Sequence, residues 1–245
     1  MKHRFYVPPD SPRRDQVRFS PEQARQLRSV LRLRPGDCVR VFDGVEPVDR
    51  IVELGRVTSE GAEGQVVDER PHPPEPRTRL VAHPALLQRV KFEPVLQKLT
   101  EIGVAAVVPV LTARSLVRQP PDEHREARWR AILREAAEQS GRGIVPELRP
   151  TLPLAIALRQ AVAAGSVLVA YEGEQQLSLR EALAGIESPA HVSIFVGPEG
   201  GYAPEETALA REAGAQLVTL GPRVLRTETA SPVMGALVLY ELEAR

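Results

Sequence analysis

Only one cysteine, Cys38, occurs in the 245 residues. That excludes an intrachain disulfide and any cysteine cluster for zinc, and Cys38 reads as a small, partly buried residue at the start of a strand. The five histidines, His3, His72, His83, His124 and His191, are scattered without ligand spacing, so no metal is expected. No apolar run is long enough to span a bilayer, and the N-terminus does not resemble a signal peptide. No membrane association and a cytoplasmic location are therefore expected. Basic and acidic residues balance at 32 each, for a formal net charge of +0. The whole molecule is not a polycation, and nucleic acid would have to be met by local basic patches. Asparagine is absent, and lysine occurs only at Lys2, Lys91 and Lys98, so arginine carries nearly all the positive charge. Proline and alanine are abundant. Adaptation to heat through few thermolabile amides and a GC-rich coding sequence both account for this composition. Two nucleotide signatures are also missing: neither G-x-G-x-x-G nor G-x-x-x-x-G-K-[ST] occurs.

What is present is organised around Ser193 to Ala230. The apolar run Ile194-Phe195-Val196 is cut off by Gly197-Pro198-Glu199-Gly200-Gly201. A helical pattern follows, then a second apolar run from Leu217 to Leu220, cut off by Gly221-Pro222 and leading into Leu225-Arg226-Thr227-Glu228-Thr229-Ala230. Two strands thus end in glycine-bearing loops, and each loop leads into a helix. In open α/β sheets ligands sit beyond the carboxyl ends of strands. Gly200 and Gly201 lack a Cβ, so a ligand can approach the backbone, and Pro198 stiffens the turn. A single Gly-Pro turn is ordinary loop punctuation. Two in succession, the second carrying Arg, Glu and two Thr, point to a small-molecule pocket.

The rest of the chain falls into two parts. Residues 1–70 lack strand–helix alternation. Ser20-Pro21-Glu22-Gln23 signals a helix start, with Leu27, Val30 and Leu31 on its apolar side. Cys38 to Phe42 alternates as a strand, with Asp43-Gly44 as a turn. Further β segments near Ile51–Val57 and Gly64–Val67 suggest a small barrel. Basic residues outnumber acidic ones from Met1 to Phe42, which reads either as a solvated face or as a phosphate-contacting surface with Phe5 or Tyr6 free to stack. Residues 71–78 are proline-dense and read as a semi-rigid linker in which His72 is solvated. In 79–245, strands expected at Leu80–Ala82, Ala105–Val110, Val167–Tyr171, Val192–Val196 and Leu217–Leu220 alternate with helices, the last over Ser231–Glu243. That alternation predicts a parallel sheet covered on both faces.

FVGPEGGY followed by LGPRVLRTETA resembles the paired signature loops of SPOUT methyltransferases, and more narrowly those of the RsmE family of ribosomal RNA uridine methyltransferases. Arg4-Phe5, the stretch from Leu33 to Gly44, Arg114-Ser115 and RWRAILREAAEQSGR also match, so the resemblance covers nearly the whole chain. It implies a PUA-like RNA-binding β-barrel (1–70), a linker (71–78) and an α/β SPOUT domain (79–245) whose C-terminal part is a deep trefoil knot. It implies S-adenosylmethionine as cofactor and N3 of a uridine in small-subunit ribosomal RNA as the methylated atom, on naked RNA or the assembled subunit. It also implies a homodimer through the final helix.

The cofactor-binding residues implied are Tyr171, Glu172, Val196, Gly197, Pro198, Glu199, Gly200, Gly201, Leu220, Gly221, Leu225, Arg226, Thr229 and Ala230. For proton removal the loops offer Glu199, Glu228 and Glu172, among which the sequence does not choose. Arg226 is placed to offset negative charge on a uridine oxygen. RNA contacts are expected at Arg4, Phe5, Arg14, Arg34, Lys91, Lys98, Arg114, Gln139 and Arg142, with Glu138 beside them. On spacing alone Lys98 and Glu101 read as a surface ion pair. Two other readings stay open: another SPOUT activity, on ribose 2′-O or a tRNA guanosine, and a non-catalytic RNA-binding assembly factor.

Overall fold

A computed structural model describes residues 3–9, 15–46, 48–186 and 189–244. The chain divides into two units, residues 1–75 with 134–145, and residues 76–133 with 146–245. The expected division at 71–78 did not anticipate that 134–145 would join the first unit.

In the first unit, β1 (Arg4–Tyr6), β2 (Gln16–Phe19), β3 (Cys38–Phe42), β4 (Val48–Val57) and β5 (Ala62–Pro71) form one sheet in the order β1-β3-β4-β5-β2. β1 runs parallel to β3, and the other neighbours are antiparallel. Among the described residues the ladder has two edges, β1 and β2. Ser20 caps α1 (Pro21–Arg25) as its sequence signals: the Ser20 hydroxyl accepts from the Gln23 N–H, and the Gln23 side chain accepts from the Ser20 N–H. The helix then widens into a π turn, Gln26–Val30, closed by the Leu31 N–H on the Gln26 carbonyl. The extra residue per turn shifts the helical phase. Leu27 stays buried, but Val30, expected on the apolar side, is 71% exposed.

Several expected RNA contacts are structural here. Phe5 is 2% exposed and meets Phe19 edge-on, with ring centroids 5.9 Å apart, so it belongs to the core and is not free to stack on a base. The buried Arg4 guanidinium donates to Asp49 at 2.8 Å and to the Ala137 carbonyl at 3.1 Å, and it lies 3.7 Å over the Phe42 ring. Arg142 is buried and donates to Glu75 at 2.7 Å. The Glu138 carboxylate accepts from the Tyr6 N–H. His72 is not solvated: its side chain is 2% exposed and its Nε2 lies 3.4 Å from Arg4 Nη2. Gly143 packs so closely on the His72 ring that any Cβ there would collide with it. Arg34 and Gln139 are exposed. Arg14 lies outside the described residues.

The second unit is built on a six-stranded parallel sheet in the order β13-β11-β12-β6-β7-β9. These are β6 (Arg79–Pro84), β7 (Ala106–Val107), β9 (Glu147–Leu148), β11 (Ser166–Ala170), β12 (His191–Val196) and β13 (Gln216–Val218). The run expected from Ala105 to Val110 is split at Pro109. Its second half, β8 (Val110–Leu111), pairs with β10 (Leu152–Pro153) in a separate two-stranded sheet. The helices are α2 (Arg89–Ile102), α3 (Glu123–Ser140), α4 (Leu154–Ala164), α5 (Leu179–Ala184), α6 (Pro204–Glu212) and α7 (Thr227–Glu243).

Alternation along β12 shows how both faces of the sheet are covered. Phe195 packs in a cluster with Leu158 of α4 and Ala210 of α6. Its neighbour Ile194 points the other way, next to Gly235 of α7, which also touches Leu99 of α2. Both faces of β12 are therefore buried, and its sequence is a continuous apolar run. Trp129 of α3 packs on Phe92 of α2 with centroids 4.6 Å apart, as its apolar stripe implies. α7 starts four residues before the expected Ser231. Ser231-Pro232 mimics a helix start, but Pro232 lies inside the helix.

Two stability predictions follow from these buried polar groups. Arg4→Ala leaves Asp49 buried without its main partner and should cost about 3 kcal/mol or more in urea unfolding followed by far-ultraviolet circular dichroism. His83 of β6 stacks on Phe195 at 4.1 Å, and neither ring nitrogen has a hydrogen-bond partner among the described residues. Burial, reinforced by the nearby Arg149 and His191, holds its pKa at about 3, against 6.5 ordinarily. The unfolded chain takes up a proton at this position below 6.5 and the folded chain does not. Stability should therefore fall as pH drops from 6.5 towards 3, with a slope of up to ~1.4 kcal/mol per pH unit from this group. His83→Phe should remove that contribution from the pH dependence of the unfolding midpoint.

Candidate active site

Three neighbouring parallel strands, β13, β11 and β12, end at one cavity of about 880 Å³. The β11 end contributes Tyr171 and Glu172. The β12 end contributes Val196, Gly197, Pro198, Glu199 and Gly201. The chain leaving β13 contributes Leu220, Gly221, Leu225 and Arg226, and the first turn of α7 adds Glu228 and Ala230. Both Gly-Pro loops therefore face the same space, with β11 between their strands. Gly200 and Thr229 do not line it. The Gly200 carbonyl instead accepts from Arg114 Nη1 at 3.0 Å, so Arg114 braces this loop from outside the cavity. The N–H of Ala113 and that of Ala203 both donate to the Glu206 carboxylate, which fixes the start of α6 beside the same loop.

Sequence reading missed part of the lining. Glu174, Gln175, Thr219, Thr227 and the stretch from Pro222 to Val224 also line the cavity. They extend motifs already singled out, so a wider window on each loop would have found them. Lys91 was expected only as an RNA contact, yet it reaches the cavity from α2. Its Nζ lies 2.9 Å from Glu199 Oε1, across 108 residues of chain. No local signal marks a pair so far apart in sequence. Lys98, by contrast, makes the expected surface pair with Glu101 at 2.9 Å.

The electrostatics of the lining separate its acids. Burial raises the Glu199 pKa, but the Lys91 hydrogen bond and a backbone N–H outweigh that and leave it below the usual carboxylate range. Glu174 is likewise lowered. The N–H of Gln176 contributes most, burial opposes it, and the neighbouring N–H groups of Leu177 and Gln175 with Arg211 complete the set. Glu172 is exposed, and Glu228 lies 4.0 Å from Arg226 Nη1. The Arg226 side chain is 84% exposed. Tyr202 is buried, and burial with the nearby Glu206 and Glu172 holds its phenol far above its ordinary pKa, so it does not act as a base. Among the described residues, no group of three or more His, Cys, Asp or Glu side chains is placed to hold a metal ion.

Comparison with known proteins puts this geometry in context. The sequence profile of the RNA methyltransferase domain matches residues 74–239. A ribosomal RNA small subunit methyltransferase E from Synechocystis sp. is 33% identical over 249 aligned positions, covering 100% of this chain and 79% of that protein. Its namesake from Mycobacterium bovis is 36% identical over 215 positions, covering 84% of this chain and 79% of that protein. Among solved structures, a ribosomal RNA small subunit methyltransferase E from Neisseria gonorrhoeae bound to S-adenosyl methionine superposes with a TM-score of 0.85 at 32% identity, over 98% of this chain and 97% of that one. A putative methyltransferase from Legionella pneumophila, in complex with SAM, gives 0.86 at 28% identity over 97% of both chains.

Gly201, not Gly200, is the glycine that the site geometry demands. It has φ +65°, and a Cβ there would lie 2.2 Å from Glu172 Oε1. The carboxylate can swing away, but the left-handed backbone remains costly for a β-branched residue. Gly201→Val should lower stability by about 1–2 kcal/mol. Gly200→Ala, whose φ is not positive, should cost less in the same denaturant titration.

Proposed function

This chain belongs to the RNA methyltransferase family, and within it to the ribosomal RNA small subunit methyltransferase E family, and on that footing we propose that it transfers a methyl group from S-adenosylmethionine to N3 of a uridine in small-subunit ribosomal RNA. The observation that carries this reading is the cavity where both Gly-Pro loops meet. Its volume, about 880 Å³, suits a nucleoside-sized ligand. Its lining mixes apolar side chains such as Val196, Leu220 and Leu225 with glycine-bearing backbone at Gly197, Gly201 and Gly221, which fits an adenosine between apolar walls and peptide edges. Tyr171, Glu172 and these two loops would hold the cofactor. When bound, it supplies an electrophilic methyl group on a sulfonium.

The protein's own residues supply the rest. The target base must be unpaired, because N3 is occupied in a duplex. Arg226, exposed beside the cavity, would offset negative charge on a uridine oxygen as the N3 proton leaves. The exposed Arg34, Arg114, Lys98 and Gln139 remain available for RNA, whereas Arg4, Phe5 and Arg142 support it only by holding their unit together. We read residues 1–70 as a PUA-like barrel that contributes affinity, 71–78 as the linker and 79–245 as the SPOUT domain with a trefoil knot in its C-terminal part. The return of the chain from β13 at the sheet edge to α7, which packs on α2, β6 and β12, is compatible with such a knot. The exposed Leu237 and Tyr240 on α7 support a homodimer through that helix. No helix among the described residues is long and apolar enough to cross a membrane, and a ribosomal substrate puts the protein in the cytoplasm.

Calorimetry tests the cofactor: S-adenosylmethionine should bind the wild type, and Gly201→Val should weaken it about tenfold or more. Absence of binding to the wild type would favour a non-catalytic RNA-binding role. Mass spectrometry of ribosomal RNA tests the target. A strain lacking this protein should lose one N3-methyluridine from the small-subunit RNA, and the wild-type chain should restore it. Methylation on a ribose or on a tRNA guanosine instead would move the chain to another activity.

A further inference from the structure

We infer that Glu228 receives the N3 proton of the target uridine, and that with Arg226 it selects uridine at the cavity. The inference rests on the methyl-transfer reading above. Four carboxylates line the cavity, and three are engaged or open to solvent. Glu174 accepts from three backbone N–H groups and from Arg211. Glu199 is held by Lys91 at 2.9 Å. Glu172 is exposed and lies against Gly201. Glu228 alone among these four has a carboxylate oxygen, Oε2, that is sealed from water and without a hydrogen-bond partner.

An acceptor left in that state costs about 1–3 kcal/mol. Most buried polar atoms are satisfied, so an exception on a cavity wall points to a donor that a ligand brings. The other oxygen, Oε1, lies 4.0 Å from Arg226 Nη1, and the Arg226 side chain is 84% exposed. The pair therefore presents an acceptor beside a cationic donor at the solvent side of the cavity. Uridine presents the complement: N3–H is a donor, and the adjacent O2 and O4 are acceptors. Cytidine has no proton on N3 and is not matched. Two residues at the start of one helix thus account for both base choice and proton removal.

The transfer balances as follows. The N3–H bond breaks and its proton goes to Glu228. The electron pair left on N3 forms the bond to the methyl carbon. The carbon–sulfur pair stays on the departing sulfur, and Glu228 later returns its proton to water. Arg226 offsets the charge that builds on O2 or O4 as the proton leaves.

The test is Glu228→Gln, assayed in single turnover on unmodified small subunits. We expect the methylation rate to fall by about 10²- to 10⁴-fold, the usual contribution of a general base. Calorimetric affinity for S-adenosylmethionine should stay close to that of the wild type, which also shows that the variant is folded. Glu228→Asp should retain an intermediate rate. Replacing the target uridine with 5-fluorouridine, whose N3 proton is more acidic, should recover much of the rate in Glu228→Gln and change the wild type little. An unchanged rate in Glu228→Gln would overturn the inference. So would a tenfold or greater loss of cofactor affinity, which would assign the carboxylate to the cofactor, or a failure of 5-fluorouridine to recover the rate, which would leave Glu228 a positioning role. Wild-type protein that binds the cofactor but never methylates N3 would overturn the underlying reading and this inference with it.

Discussion

The site depends on where the last helix must be buried. α7 is apolar on more than one side: Met234, Val238, Leu239 and Leu242 are all buried, and Gly235 lets it lie against Leu99 and Ile194. A helix of that kind has little stability alone and needs a packed place on the sheet. That place is against α2, β6 and β12, whereas the strand before it, β13, is at the sheet edge beyond β11. The chain has to cross the carboxyl ends of its neighbours to get there. The crossing segment, from Thr219 to Arg226, becomes one wall of the cavity, and the loop after β12 becomes another.

Long-range polar contacts then fix the walls. Arg114 holds the Gly200 carbonyl, Glu206 holds Ala113 and Ala203, and Lys91 holds Glu199. Each joins segments far apart in sequence, so the loop after β12 is braced from both sides of the strand order. The bracing leaves the acids of the cavity unlike one another. Glu199 and Glu174 are committed to cations or backbone N–H groups, while Glu228 keeps an unfilled oxygen. Chemistry that needs one free acceptor is better served by that inequality than by a uniform acidic wall.

The first unit uses its cations differently. Arg4 and Arg142 were read as RNA contacts because they belong to a basic stretch or a family match. Their guanidinium groups are instead buried against Asp49 and Glu75. Charge type is visible in sequence, but the buried partner that neutralises it is not. The same holds for His72, which sits in a proline-dense stretch that looks solvated and is pressed against Arg4 and Gly143. Val30 failed for a local reason, since one π turn changes the periodicity that its assignment relied on.

The sequence by itself determined the alternation of strands and helices in the second unit, the Ser20 capping box, the Trp129 stripe and the two Gly-Pro turns that reach the cavity. These are short-range properties: apolar periodicity, capping hydrogen bonds and glycine or proline geometry act within a few residues. The tertiary structure alone decided that β11 lies between the two loop-bearing strands, that Gly201 rather than Gly200 meets the cavity, that Lys91 joins Glu199, and that Glu228 keeps a sealed, unpartnered oxygen. Those follow from strand order and from packing between segments up to 108 residues apart. Strand order is set by which apolar faces can be buried together, a property of the whole chain that no window of residues carries.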